Sequence, residues 1–113
     1  MKVTNRTKTT TIGTQIAVAD TSLTRLVGLA GRRRLDAGCG LLIRPSSGIH
    51  TFGMLFAIDV VALGKDSRVL KLWRRLHPFR VTSLSFKIRT ILELKAGEIE
   101  NCNIEVGDQL EIA

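Results

Sequence analysis

The apolar positions of this chain fall in short runs at close spacing, with turn-forming residues between them. Residues 9–18, TTTIGTQIAV, are rich in β-branched residues and predict one strand, or two short strands around Gly13. Residues 38–45, GCGLLIRP, predict a short strand that ends at Pro45. Residues 60–76 predict a hairpin, because two β-rich arms flank the turn sequence GKDS.

The C-terminal part of the chain continues this pattern. Residues 81–95, VTSLSFKIRTILELK, alternate with a period of two and predict one or two strands. Residues 96–112, AGEIENCNIEVGDQLEI, predict a short helical or irregular turn, a turn at Gly107-Asp108 and a last strand.

One segment, residues 22–31, has the period of a helix. Thr21 or Ser22 can cap its N-terminus, and Gly31 can end it. The apolar residues at positions i, i+3, i+4 and i+7 are Leu23, Leu26, Val27 and Ala30.

Together these elements predict a mainly β fold of about seven short strands with one helix near the start. A regular βαβ alternation is absent, which favours a small two-sheet sandwich or a partly open barrel. The length of 113 residues fits a single domain, predicted over residues 9–113, with residues 1–8 as a disordered N-terminal tail. No apolar run approaches the roughly 20 residues of a membrane span, and the N-terminus lacks the apolar core of a secretory signal. We therefore expect a cytoplasmic location. We also expect a monomer.

The charge balance is strongly basic and unevenly distributed. The chain has 17 Lys and Arg against 10 Asp and Glu, for a net charge of +7. Residues 1–36 carry +5, residues 37–89 carry +7 and residues 90–113 carry −5. A basic body with an acidic C-terminal segment indicates either an anionic partner or charge that maintains solubility.

Two arginine clusters are candidates for an anionic partner, and a third basic pair, Lys87 with Arg89, lies on a later predicted strand. A nucleic-acid-binding surface needs cations along a face and aromatic side chains that stack on bases. The chain has four Phe, one Trp and no Tyr, and we place only Trp73 within a basic run. A solvated basic face is therefore favoured, and binding to nucleic acid or an anionic surface is the alternative function. The residues of that alternative are Arg32, Arg33, Arg34, Arg74 and Arg75.

The chain has few of the Cys and His residues that most often bind metals or take part in catalysis. Cys39 and Cys102 lie far apart, which favours two free thiols over a single bridge. No His or Cys pair has zinc spacing, no acidic loop resembles a calcium site, and no glycine-rich phosphate loop is present, so no metal and no cofactor is predicted. A hydrolase-like enzyme with His50 as base and Cys39 or a nearby serine as nucleophile is a third, least favoured function, and no catalytic residue is assigned.

Five sequence blocks together resemble a known family. They occur in the order LTRLVGLAGRRRL, GCGLLI, IHTFGMLFAIDVVAL, LELKAG and VGDQLEI, between residues 19 and 112. This order resembles the domain-of-unknown-function family 192 (DUF192), which has bacterial and archaeal members. The resemblance implies a compact, sandwich-like and jelly-roll-like β fold with a helix near the start, and it implies no established activity.

The resemblance also bears on residues 48–64, the most apolar run of the chain, which nevertheless contains His50 and Asp59. The family has a proline at the position of Ala57, and a proline interrupts a strand ladder. We therefore predict two strands, 49–54 and 58–64, that meet at a corner. Asp59 would either bond to backbone N–H groups at that corner or form an ion pair with Arg25.

The polar positions of the family pattern define our candidate ligand site. We expect a non-enzymatic binding or accessory module for a small anion or a sugar, by analogy with other small β-sandwiches. The family's basic residue in the central block is Leu55 here, so this chain lacks any contribution from that position. The predicted ligand-binding residues are Arg25, His50, Thr51, Asp59, Glu93 and Asp108.

Overall fold

The computed structural model describes residues 1–21, 29, 32–48, 54–82 and 85–113. The predicted helix over 22–31 and the predicted strand over 49–54 lie almost wholly outside these residues, as do Arg25, His50 and Thr51. The described elements are β1 (Val3–Asn5), β2 (Thr10–Gly13), β3 (Gln15–Ala19), β4 (Cys39–Ile43), β5 (Ile58–Leu63), β6 (Val69–Leu76), β7 (Thr90–Lys95), α1 (Glu98–Asn101) and β8 (Leu110–Ile112).

These strands form two sheets, which confirms the predicted mainly β, partly open sandwich. The smaller sheet has the order β2-β1-β8, and both of its pairings are antiparallel. The larger sheet has the order β3-β4-β7-β5-β6, with β3 and β4 parallel and the other pairings antiparallel. Strand β7 is therefore the centre of the larger sheet.

The two faces of the larger sheet bury different hydrophobic clusters. Leu92 of β7 and Val61 of β5 pack with Val3 and Ile12 of the smaller sheet, so this cluster fills the space between the two sheets. The cluster on the opposite face includes Leu41, Val60 and Ile91 with Leu29, Leu35 and Met54. Because side chains alternate along a strand, consecutive residues of β5 and β7 contribute to opposite clusters.

The N-terminal segment corrects one prediction. Residues 3–5, which we expected in a disordered tail, form the middle strand of the smaller sheet, with Val3 fully buried. Val3 pairs with Gly13 on one side and with Ile112 on the other. Ile112 lies at the other end of the chain, and a three-residue strand is too short to show a local pattern of its own.

The predicted hairpin is present as β5 and β6. Its turn is closed by the Gly64 N–H, which donates to the Arg68 carbonyl at 2.9 Å, and by the Ser67 N–H, which donates to the Gly64 carbonyl at 3.1 Å. In contrast, the described residues 85–89 form a turn ahead of β7 rather than a strand. Ser85 explains this, because its carbonyl accepts the Ile88 N–H and its hydroxyl accepts the Lys87 N–H.

Candidate functional site

Asp59 is buried and its carboxylate is occupied by backbone donors. Between the pairs Ile58–Leu76 and Val60–Trp73, strand β6 has two residues opposite Asp59 alone, which is a β-bulge. A bulge leaves a backbone N–H without a ladder partner. The Arg75 N–H, from a residue with φ of +50°, donates to Asp59 Oδ1 at 2.9 Å.

The other oxygen of Asp59 caps helix α1. Gly97, at the N-cap, has no side chain that could accept the free N–H groups of the first turn. Asp59 Oδ2 accepts the Gly97 N–H at 3.0 Å and the Ile99 N–H at 2.9 Å. We expected Asp59 to bond either to a corner next to it in sequence or to Arg25. Its described donors lie 16, 38 and 40 residues away rather than at that corner, and Arg25 lies outside the described residues.

Asp108 is also part of a hydrogen-bonded network. Its Oδ2 accepts the Asn5 amide at 2.8 Å, the Lys8 ammonium at 3.0 Å and the Glu105 backbone N–H at 3.0 Å. Burial opposes ionisation of this carboxyl, but the three donors outweigh it and hold the pKa of Asp108 below its ordinary value. Asp108 thus connects β1 to the segment before β8.

Glu93 differs from both aspartates. It lies in the middle of β7, paired with Leu41 on one side and Val60 on the other, and only 2% of its surface is exposed. Within the described part of the chain its Oε1 has no hydrogen-bond partner. Burial raises the pKa of Glu93 to about 7, because an ionised carboxylate loses its hydration there. Unlike the carboxylates of Asp59 and Asp108, this carboxyl oxygen does not join two parts of the described structure by hydrogen bonds.

The described structure does not bring the three acidic candidates together. Asp59 pairs with Leu94 and faces the space between the sheets, whereas Glu93 pairs with Val60 and faces the opposite cluster. Asp108 lies beside β1. The three carboxylates therefore do not share one face of the larger sheet, and the ligand-binding role of the six predicted residues stays a prediction.

The predicted arginine clusters are at the surface and partly paired. Arg32, Arg33 and Arg34 are exposed, and Arg34 lies 3.5 Å from Asp36. Arg74 lies 3.7 Å from Glu100. Neither cluster lines either of the two grooves at the ends of β5 and β7.

A different set of cations lines an open groove of about 420 Å³. We call it the basic groove. It contains four cationic side chains, one carboxylate, a half-buried leucine and a fully exposed phenylalanine, Phe86, of which 99% is accessible. Its lining residues are Gly64, Lys65, Asp66, Arg68, Leu70, Phe86, Lys87 and Arg89.

Two segments that are distant in sequence form the basic groove. The hairpin turn between β5 and β6 provides Lys65 and Arg68, and the turn before β7 provides Phe86, Lys87 and Arg89. The segments are joined where the Arg89 N–H donates to the Leu63 carbonyl at 2.8 Å. None of these groove residues was among the predicted site residues.

The sequence does contain a signal for this groove. The run FKIR, residues 86–89, places Phe86 beside two cations, although its alternation with the neighbouring residues is also typical of a strand. Trp73, the aromatic residue that we placed within a basic run, instead contacts a cation of its own strand, with Lys71 Nζ 5.6 Å from the ring centroid.

A smaller groove of about 240 Å³ adjoins the basic groove through Arg89. Its other lining residues are Pro45, Ser46, Ser47 and Ile88. The Ser46 N–H donates to the Arg89 carbonyl at 2.9 Å, which holds the two segments together.

The cysteines and the metal-ligating residues form no centre among the described residues. Cys39 and Cys102 are free, as favoured from their spacing, and they pack against opposite clusters. Burial and the neighbouring Glu98 carboxylate raise the pKa of the Cys102 thiol. In the same described ranges no group of three His, Cys, Asp or Glu could hold a metal ion, and no helix has the length and apolarity to cross a membrane.

Comparison with known proteins identifies similar chains. The family model DUF192, described as "Uncharacterized ACR, COG1430", matches residues 2–112. A UPF0127 protein of Pyrococcus furiosus is 34% identical over 115 residues, which cover 95% of this chain and 94% of that protein. A UPF0127 protein of Thermococcus sibiricus is 29% identical over 111 residues, covering 95% of this chain and 71% of that protein.

Two solved structures are similar in fold. A protein of unknown function from Novosphingobium aromaticivorans superposes with a TM-score of 0.85 at 20% identity, covering 98% of this chain and 82% of the other. A candidate transcription regulator from Sinorhizobium meliloti has a TM-score of 0.83 at 19% identity, covering 97% and 89%. At these identities the similarity shows the fold alone.

Proposed function

The chain belongs to the DUF192 family, whose relatives named above have no established activity, and we propose that it is a binding module for an anionic ligand held in the basic groove. One observation carries this proposal: Lys65, Arg68, Lys87 and Arg89 converge on one groove, against a single carboxylate, Asp66. Like charges gathered at a surface repel one another, and an anion removes that repulsion.

The cations of the basic groove differ from those elsewhere on the surface in their pairing. Arg6, Lys8 and Arg74 have carboxylate partners at 3.0, 2.7 and 3.7 Å in the acidic C-terminal segment. Among the described residues, Lys65, Lys87 and Arg89 form no ion pair. Their charges therefore remain available to a ligand.

Arg68 is positioned in the groove by the protein itself. Its Nη1 donates to the Gly107 carbonyl at 2.9 Å. A guanidinium has five N–H donors, so the others stay free for a phosphate or carboxylate, which arginine binds in a bidentate manner. The chemistry of the lining thus favours an anion over the neutral sugar that we also considered for this fold.

The test is a titration of the ¹⁵N-labelled protein with inorganic pyrophosphate at low salt. We expect amide shifts in residues 64–68 and 86–89, and loss of these shifts in Arg89→Gln. Arg33→Gln is the matched control, because it removes an exposed cation outside the groove. Shifts confined to residues 32–34 or 74–75, or none at all, would count against an anion site in the basic groove.

A second candidate site is supported by Glu93. A buried carboxyl oxygen without a partner can accept a hydrogen bond from a hydroxyl or amine of a small ligand, and such unsatisfied groups are rare in native proteins. This site would retain the sugar alternative and the predicted residues Arg25, His50 and Thr51. A screen of sugars and small amines should then perturb β7 and β4 amides, and Glu93→Gln should weaken any ligand found. Ligands that bind Glu93→Gln as well as the native protein would remove this candidate.

A further inference from the structure

We propose that the basic groove and the adjoining smaller groove together bind single-stranded nucleic acid, with one base stacked on the ring of Phe86. This inference rests on the proposed function of the basic groove and specifies its ligand. It concerns a different surface from the arginine clusters at 32–34 and 74–75.

Phe86 is almost fully exposed to solvent, although its side chain is large and apolar. With 99% of its surface accessible, the ring makes almost no contact with the rest of the protein and contributes little to the core. It nevertheless stands among the cations of the basic groove. A planar apolar ring surrounded by cations is complementary to a nucleotide, in which a planar base is attached to a phosphate.

The shape of the surface also favours a chain over a small molecule. Pockets for small molecules are usually concave and bury most of their ligand, whereas the basic groove is open. It continues through Arg89 into the smaller groove, where the exposed hydroxyl of Ser47 is available to sugar or phosphate oxygens. An open, continuous surface suits a polymer that passes along it.

Stacking on Phe86 requires a particular state of the nucleic acid. A base can stack on a side chain only if it is unstacked from its neighbours, which is the condition of single strands, loops and ends. In a duplex each base is stacked between its neighbours, so no base face is open to the Phe86 ring. The described geometry therefore favours single strands over duplex.

An anionic membrane is the other macromolecular surface with suitable charge. Interfacial binding requires a broad apolar face, commonly that of an amphipathic helix. The basic groove offers Phe86 and the half-buried Leu70 as its large apolar side chains. Vesicle binding is accordingly an outcome that the experiment must distinguish.

The experiment measures fluorescence anisotropy of labelled oligouridylate and oligodeoxythymidylate of about a dozen nucleotides, the range of site sizes for single-strand binders. The full chain is titrated at several salt concentrations. If all four cations contact phosphates, the slope of log K against log salt should be about −3, and Arg89→Gln or Lys87→Gln should each reduce it by about 0.7.

Phe86 provides the decisive variants. Phe86→Ala should weaken oligonucleotide binding roughly ten- to one-hundred-fold, and Phe86→Trp should retain it, because stacking on an aromatic ring contributes at that scale. Pyrophosphate binding should be unchanged in both, since inorganic phosphate has no base. Phe79→Ala is the control for an exposed phenylalanine outside the groove, and Arg33→Gln for an exposed cation.

The outcomes separate the two proposals. Pyrophosphate binding with no effect of Phe86→Ala on oligonucleotides would overturn the nucleic-acid proposal and leave the anion site intact. Failure to bind either probe would overturn both. Tighter binding to phosphatidylserine vesicles than to oligonucleotides, lost in Phe86→Ala, would assign the surface to a membrane and overturn this inference.

Discussion

Asp59 shows how one carboxylate can organise distant parts of a small β fold. It lies in a buried strand, where an unpaired charge would be strongly unfavourable. Three backbone N–H groups, from Arg75, Gly97 and Ile99, replace the hydrogen bonds that water would make. Hydrogen bonds to a charged acceptor are stronger than neutral ones, so Asp59 holds the bulge of β6 and the start of α1 against β5.

Replacement of Asp59 should therefore destabilise the protein strongly. In Asp59→Ala three backbone donors lose their acceptor, and we expect a loss of about 3–5 kcal/mol in the free energy of unfolding. Asp59→Asn should lose less, because one oxygen remains. Urea denaturation measures both, with Asp36→Ala as the control for an exposed carboxylate. Equal stability of Asp59→Ala and the native protein would contradict the capping role.

Glu93 makes a prediction for the pH dependence of stability. Burial raises its pKa from an ordinary value of 4.5 to about 7, so the native state binds this proton more tightly than the unfolded state. The stabilisation is complete below pH 4.5 and is lost as the pH rises through 7. At about 1.4 kcal/mol per pH unit, the loss is on the order of 3 kcal/mol.

Glu93→Gln keeps the shape of the side chain and removes its ionisation. We expect the variant to match the native protein near pH 4.5 and to exceed its melting temperature by several degrees at about pH 8. Glu111→Gln, which alters an exposed carboxylate 3.0 Å from Arg6, should leave the native pH profile unchanged. If the melting temperatures of the native protein and Glu93→Gln change with pH in the same way, ionisation of Glu93 does not destabilise the native state, which would contradict the prediction.

At the scale of secondary-structure elements, the sequence predicted those elements whose residues lie close together along the chain. The hairpin of β5 and β6 follows from its turn sequence GKDS, and β4 from an apolar run that ends near Pro45. Strand β1 was missed because its three residues depend on partners at the other end of the chain, such as Ile112. The same reason hid the bond of Asn5 to Asp108, 103 residues away. The alternation of residues 81–95 predicted a strand too early, because the side chain and carbonyl of Ser85 form a turn first.

Helix α1 is too short to form by itself, so its dependence on the residue at its start can be tested by substitution. Isolated helices of four residues are unstable in water, so α1 depends on its contacts and its start. Gly97 begins it with φ of +97° and ψ of −13°, in the left-handed region. Gly97→Ala should lower the free energy of unfolding by about 1–2 kcal/mol, because a Cβ is disfavoured there.

Asparagine at the same position separates backbone strain from lost contacts. Asn tolerates the left-handed region better than Ala, so Gly97→Asn should be less destabilising although its side chain is larger. Both are measured by urea denaturation. A larger loss for Asn than for Ala would show that steric contact, and not the backbone conformation, requires glycine at the start of α1.

At the scale of the whole molecule, folding pairs charges that lie far apart in the sequence. The acidic C-terminal segment lies beside the N-terminus, with Arg6 3.0 Å from Glu111 and Lys8 2.7 Å from Glu105. The surplus cations of the middle segment then gather in part at the basic groove. Composition could predict the surplus, but the pairing and the groove required the contacts between distant segments.

This distribution of charge leads to a prediction about stability. Cations that converge for a ligand repel one another in its absence. The four cations of the basic groove should therefore lower the stability of the unliganded protein. Lys87→Gln and Arg89→Gln should each raise the melting temperature by about 1–2 °C in low salt, a shift typical of small surface effects. In about 1 M NaCl the gain should vanish, because the Debye length falls to about 3 Å. Arg6→Gln, which removes a paired cation, should give no gain in either condition. Lower melting temperatures for both groove variants in low salt would mean that these cations serve the fold, and would remove the electrostatic basis for a ligand in the basic groove.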